Sequence, residues 1–125
     1  MIFSLTTVAT GSNLYSGKYS YDLNPDKPEG RYGHVIIEYL ESDTYTFKMD
    51  LGRGAPSYNT GELEGNISIS NGQGTYYKKS EYSDSDACEW KMTFSGEKLI
   101  IKTLNSHLEC GFGYAVYVDG EYHKQ

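Results

Sequence analysis

Few side chains in this chain could do chemistry, and they are scattered. His34, His107 and His123 stand far apart, and none belongs to an H-x-x-x-H or H-x-E arrangement that would aim imidazoles at one metal ion. No zinc centre or deaminase site is expected, and each imidazole is assigned to solvent. Glu62 and Glu64 lie two apart and would share one face of a strand, a placement that a glycosidase could use to pair an acid with a base. The simpler reading is an outer row that faces Lys or Arg on a neighbouring strand. Asp84-x-Asp86 opens like a calcium loop, yet the glycine and the closing glutamate at the required spacing are missing. There is no G-x-S-x-G elbow, no phosphate-cradling glycine loop and no RNA-reading signature. A protein without catalytic residues, metal or cofactor is expected.

The two cysteines are more specific. Cys88 opens a strand on its inward face, and Cys110 sits just before the C-terminal stretch. A bridge between them would tie that stretch to the centre of a sheet, stabilise the fold by roughly 3 kcal/mol and imply an oxidising compartment. Two buried, reduced thiols in a cytoplasmic protein fit the same positions.

The elements that must hold these residues are strands. Trp90, Met92 and Phe94 interleave with Lys91, Thr93 and Ser95, and Tyr45, Phe47 and Met49 with Thr46, Lys48 and Asp50. Alternation with period two sends one row of side chains into a core and the other into water. Strands are expected near 18–23, 34–40, 44–51, 62–70, 74–79, 88–95 and 98–104, with a last one over 114–123 folded into a hairpin. Ser70-Asn71-Gly72-Gln73 and Val118-Asp119-Gly120-Glu121 carry Asn-Gly and Asp-Gly pairs suited to type I′ turns. Ser95-Gly96-Glu97-Lys98 is a third hairpin candidate.

The predicted inward set is Val35, Ile37, Tyr39, Tyr45, Phe47, Met49, Leu63, Ile67, Ile69, Trp90, Met92, Phe94, Leu99, Ile101, Tyr114, Val116 and Val118. Gly65 falls in register with Leu63 and Ile67, where a missing side chain suits a bend or bulge in a curved sheet. Long loops are expected at 24–32, 52–60 and 80–87. Helix signals are absent. The fold class is therefore all-β: a single antiparallel meander of about eight strands, closed into a small barrel or a two-sheet sandwich. It forms one domain over 1–125, with 1–16 as an N-terminal segment that could add an edge strand.

A formal charge of −6 disfavours nucleic acid and anionic lipid as partners, because phosphate contacts need Lys and Arg, and favours a basic protein. No run approaches the length that would span a bilayer. The opening lacks a basic n-region, so the protein is expected in the cytoplasm if Met1 is the native start, or in the periplasm if a leader has been removed. Tyrosine occurs 13 times, against 4 Phe and 1 Trp, so some tyrosines must be exposed. Tyr adds contact area at low entropic cost and is enriched at recognition surfaces.

Cys110-Gly111-Phe112-Gly113-Tyr114-Ala115-Val116, followed by Asp119-Gly120-Glu121-Tyr122, resembles the C-terminal pattern of a group of small bacterial β proteins. Thr60-Gly61-Glu62-Leu63-Glu64-Gly65 and Gly17-Lys18-Tyr19-Ser20-Tyr21 are similar to theirs as well. The resemblance implies a secreted chain and a small barrel like that of periplasmic lysozyme inhibitors. More loosely, a small acidic barrel resembles the immunity proteins of bacterial toxin systems, which occupy the phosphate-binding cleft of a basic nuclease.

The expected function is non-enzymatic inhibition of a basic partner, with an immunity protein against a bacterial toxin as the first form. A periplasmic lysozyme-inhibitor-like protein and a lipocalin-like carrier of a small apolar ligand are the alternatives. Glu81, Asp84, Asp86 and Glu89, with Tyr82 as aromatic anchor, form the expected partner-binding loop.

Overall fold

The computed structural model describes residues 14–21, 31–53, 59–81, 85–105, 110–112 and 116–125. Eight strands follow one another: β1 Gly17–Tyr21, β2 Arg31–Glu41, β3 Thr44–Arg53, β4 Thr60–Ser68, β5 Gln73–Lys79, β6 Ala87–Ser95, β7 Lys98–Thr103 and β8 Gly120–Lys124. Each pairs antiparallel with its neighbour in a single sheet of order β4-β3-β2-β1-β8-β7-β6-β5. Pairing of β1 with β8 curls the meander into a nearly closed barrel. The two sheet edges are then β4 and β5, consecutive strands joined by the Ser70–Gln73 bridge in the turn between them and, among the described residues, not paired in a ladder.

Alternation explains the strands and the core together. In β3, Tyr45, Phe47, Met49 and Leu51 are buried, while Thr46, Lys48 and Asp50 face out. Trp90 and Met92 in β6 and Leu99 and Ile101 in β7 repeat the pattern. Among the described residues every fully buried side chain is apolar or aromatic. The barrel is filled rather than hollow. Trp90 stacks on Tyr76 at 5.1 Å between centroids, and Phe47 meets both rings edge-on at 5.1 Å. Tyr39, Leu63 and Phe94, expected inside, lie half-buried against this core, and Tyr19, Leu51 and Tyr122 join it. Tyr114 lies outside the described residues.

The turns are those expected at two of three places. Asn71 and Gly72 both have positive φ, 55° and 76°, as a type I′ turn requires, and Gly96 at φ 62° opens the β6–β7 turn. Between β2 and β3 the chain turns on Ser42 and Asp43, with Ser42 at φ 51°, although no Gly or Asn marks the place.

Among the described residues of the expected C-terminal hairpin, Gly120–Lys124 is the strand, and Val116 and Val118 reach the core from an irregular segment, so no hairpin turn forms at 118–121. The Asp119 carboxylate accepts the Thr103 N–H at 2.8 Å and the Thr103 hydroxyl, and so binds the end of β7. The Tyr122 hydroxyl donates to the Val118 carbonyl at 2.7 Å.

Gly65 makes no bulge either. It pairs in unbroken register with Phe47, and a Cβ there would lie 3.3 Å from the Phe47 ring and 3.4 Å from that of Tyr76. The irregularity falls at Leu40, between Tyr39 and Glu41. Tyr32, Gly52 and Arg53, expected in loops, belong to β2 and β3, where the Tyr32 ring occupies the space above Gly52. Of the N-terminal segment, 1–13 lies outside the described residues. Ser16 accepts the Tyr39 N–H at 3.1 Å, and the Tyr15 carbonyl accepts the Tyr19 hydroxyl at 3.0 Å.

Cys88 and Cys110 are joined in a disulfide. Phe112 then packs onto Gly61, where a Cβ would approach its ring to 2.6 Å. The stretch 110–112 therefore runs from β6 to the start of β4, across the wide end of the opening between β4 and β5.

Candidate functional site

The ladder places outward side chains in rows that cross the strands. On β2, β3 and β4 one row reads His34, Asp50, Glu62; the next Ile36, Lys48, Glu64; the third Glu38, Thr46, Asn66. Glu62 and Glu64 thus form the solvated outer row expected of them, with Glu64 opposite Lys48. Glu62 instead faces Asp50, and like charges directly opposite one another destabilise a sheet. On these three strands the carboxylates Glu38, Asp50, Glu62 and Glu64 flank one ammonium, that of Lys48, and Lys18 of β1 continues the Lys48 row beyond Ile36. Two open grooves of about 450 Å³ and 430 Å³ run over this face, both lined by Lys48 and Glu64.

The other wing inverts the sign. Across β5, β6 and β7 the rows read Thr75, Lys91, Lys102 and Gln73, Thr93, Ile100. Lys91 directly opposite Lys102 is a second like-charged pair. Tyr77 stands opposite Glu89 and is 59% exposed, with Ile100 and Leu104 also exposed. Lys98 is bound to Glu121 at 3.0 Å, and this contact holds the Glu121 carboxyl below its ordinary range.

The expected binding loop belongs to this second wing. Glu81 and Asp86 are exposed, and the Ser80 N–H donates to the Asp86 carbonyl at 3.1 Å, closing the loop. Glu89 is half-buried on the outward face of β6, opposite Tyr77, with Lys91 two residues on and the exposed Lys79 of β5 diagonal to it. Tyr82 and Asp84 lie outside the described residues. Lys79 and Lys91 share the outward face with Glu89, whereas on the outward rows of β2–β4 four carboxylates accompany one lysine. Sequence reasoning noticed Glu62 and Glu64 but not Glu38 and Asp50, because only the register brings three strands together.

Ser20, His34 and Asp50 also share a row, and Ser20 Oγ lies 2.8 Å from His34 Nδ1. His34 is thus half-buried and engaged rather than solvent-facing. Among the described residues no hydrogen bond joins His34 to Asp50, so nothing orients the imidazole as a base toward a serine nucleophile. The contact stitches β1 to β2. Likewise, no group of three His, Cys, Asp or Glu among the described residues could hold a metal ion. His107 lies outside them.

Burial raises three tyrosines. Tyr19 is pushed up to about 12, mainly by desolvation and then by the Glu97 charge. Tyr45 and Tyr76 rise for the same first reason. These hydroxyls stay protonated and structural. No helix among the described residues is long and apolar enough to cross a membrane. Comparison with protein-family models, with curated proteins and with solved structures found no match to this chain.

Proposed function

We propose that this domain is a non-enzymatic protein inhibitor that binds a basic partner through the outer face of β2, β3 and β4, as an immunity protein binds its toxin. The observation that carries this reading is the Asp50–Glu62 pair, set among Glu38, Glu64 and Lys48 on three strands held in one continuous ladder. A sheet gains nothing from facing two carboxylates. A basic cleft would relieve their repulsion, and the fixed strands would set the register of approach. The filled interior supports this reading over that of a lipocalin-like carrier.

A second form is favoured by the disulfide. Cys88–Cys110 suits an oxidising compartment, which supports a periplasmic inhibitor of a basic, lysozyme-like enzyme. Both forms use the same acidic face.

The test uses the protein encoded beside this gene if it is basic, and hen lysozyme as the second probe, in stopped-flow binding and activity assays. Asp50→Lys with Glu38→Lys should slow association by tenfold or more in low salt and flatten its salt dependence, because exposed charges act chiefly on encounter. Unchanged association and inhibition would overturn the assignment of this face.

A further inference from the structure

The two like-charged pairs on the outer surface answer one another. Asp50 faces Glu62 across the β3–β4 ladder, and Lys91 faces Lys102 across the β6–β7 ladder. Each pair repels within its own wing, and the two carry opposite signs.

Their surroundings are complementary as well. Two residues from Asp50 along β3 stands Lys48, with Ile36 opposite it on β2. Two residues from Lys91 along β6 stands Glu89, with the exposed ring of Tyr77 opposite it on β5. One face therefore shows two carboxylates with an ammonium in the next row, and the other shows two ammoniums with a carboxylate in the next row.

The two patterns fit when the faces meet. Consecutive strands alternate in direction, so with height counted from Glu64 toward Glu62, Lys48 lies below Asp50 whereas Glu89 lies above Lys91. β4 follows β3 round the barrel in the same sense as β7 follows β6. Turning a second copy by half a turn about an axis across the strands inverts its heights, keeps that sense, and lays its β6–β7 face on β3–β4 of the first. Asp50 then meets Lys91, Glu62 meets Lys102, Lys48 meets Glu89 and Ile36 meets Tyr77. Within these rows Glu64 meets Leu104 and finds no counter-charge. β3 and β6 touch along the middle of the contact, and the long side chains of Glu62 and Lys102 span the gap that two convex barrels leave beside it.

We propose that this protein associates with itself head to tail, the β3–β4 face of one copy docking on the β6–β7 face of the next. Charge selects a second copy as the occupant, since each face repels its own like and supplies the counter-charges that the other lacks. The two faces lie three strands apart round a barrel of eight and point in different directions. Each copy therefore meets a different neighbour with each face, and growth does not stop at two. The patch is small, so the contact is weak. It goes beyond the inhibitor reading and needs no foreign partner.

Sedimentation equilibrium and light scattering from micromolar to near-millimolar protein, in low salt, test it. The mean mass of the wild type should climb from the 14.1 kDa of the chain past twice that value. It should fall back in about 1 M salt, which screens charges beyond roughly 3 Å. Asp50→Asn with Glu62→Gln should weaken association about tenfold, as should Lys91→Gln with Lys102→Gln, because each removes two exposed ion pairs. Both variants lose a like-charged pair, so urea unfolding should find them at least as stable as wild type. Mixed in equal amounts, they keep one intact acidic face and one intact basic face, and should associate with wild-type strength but level off at two chains. In the wild type, amide signals of β3 and β6 should shift with concentration while those of β1 and β8 hold. None of these measurements involves a basic partner, so they test the self-contact apart from the inhibitor reading. A single-chain mass throughout, indifference to both neutralisations, a wild type that stops at two, or a mixture no stronger than either variant would each overturn the proposal.

Discussion

The wing of β2, β3 and β4 and the wing of β5, β6 and β7 are built alike and charged oppositely. Each sends a row of apolar side chains inward, Phe47 and Met49 from one and Trp90 and Met92 from the other, and these meet in a single core. Outward, Asp50 faces Glu62 in the first and Lys91 faces Lys102 in the second. The inward rows explain the fold. The outward rows work mildly against it, since each like-charged pair costs a fraction of a kcal/mol. These two pairs, of opposite sign and on separate faces, are where the proposed binding reading departs from what stability alone favours.

The largest way to break the comparison is to remove what the wings share. Trp90→Ala should destabilise the domain by roughly 3–5 kcal/mol, as expected when a fully buried aromatic is truncated. Phe47→Ala should fall in the same range, although it lies in the other wing. Urea unfolding checks both, and a small effect from either would mean that the wings do not share one core.

Next comes a device that only one wing owns. Replacing both Cys88 and Cys110 by Ser should cost about 3 kcal/mol, because the bridge closes a separation of 22 residues in the unfolded chain. Hydrogen exchange should then show faster opening near β6 and 110–112 than in β2 and β3. Equal acceleration everywhere would show that the bridge acts on the whole barrel.

Alkali tests the strand that joins the wings. Tyr19 on β1 titrates near 12 when folded and at 10.0 when free. Its neutral form is the one that the fold protects, so its contribution is complete below pH 10 and is lost as pH rises through 12. Unfolding monitored across that interval should show a loss of stability that Tyr19→Phe diminishes.

The smallest effects sharpen the charge contrast. Glu62→Gln and Lys102→Gln should each stabilise the isolated domain by about 0.2–1 kcal/mol, by relieving repulsion in its own wing. Glu62→Gln alone should also slow capture of a basic partner. A destabilisation by either would remove the case that these pairs are kept for binding.

Local residue order carried much of this. Period two in Tyr45, Phe47 and Met49 and in Trp90, Met92 and Phe94 placed strands and most of the core, because side-chain direction along a strand is a property of the backbone itself. Asn71-Gly72 marked its turn for an equally local reason, the tolerance of both residues for positive φ. The rest depended on register between distant segments. Asp119-Gly120 looked like a turn until the Thr103 amide and hydroxyl claimed the carboxylate. Tyr19 and Tyr122 become core because β1 and β8 pair, and the Cys88–Cys110 bond follows from where 110–112 crosses the barrel. Strand order likewise decided that Asp50 meets Glu62, that Lys91 meets Lys102, and that β4 and β5 are left as edges. Alternation settles which way a side chain points, but its neighbour across the sheet is set by pairing, and pairing belongs to the whole chain.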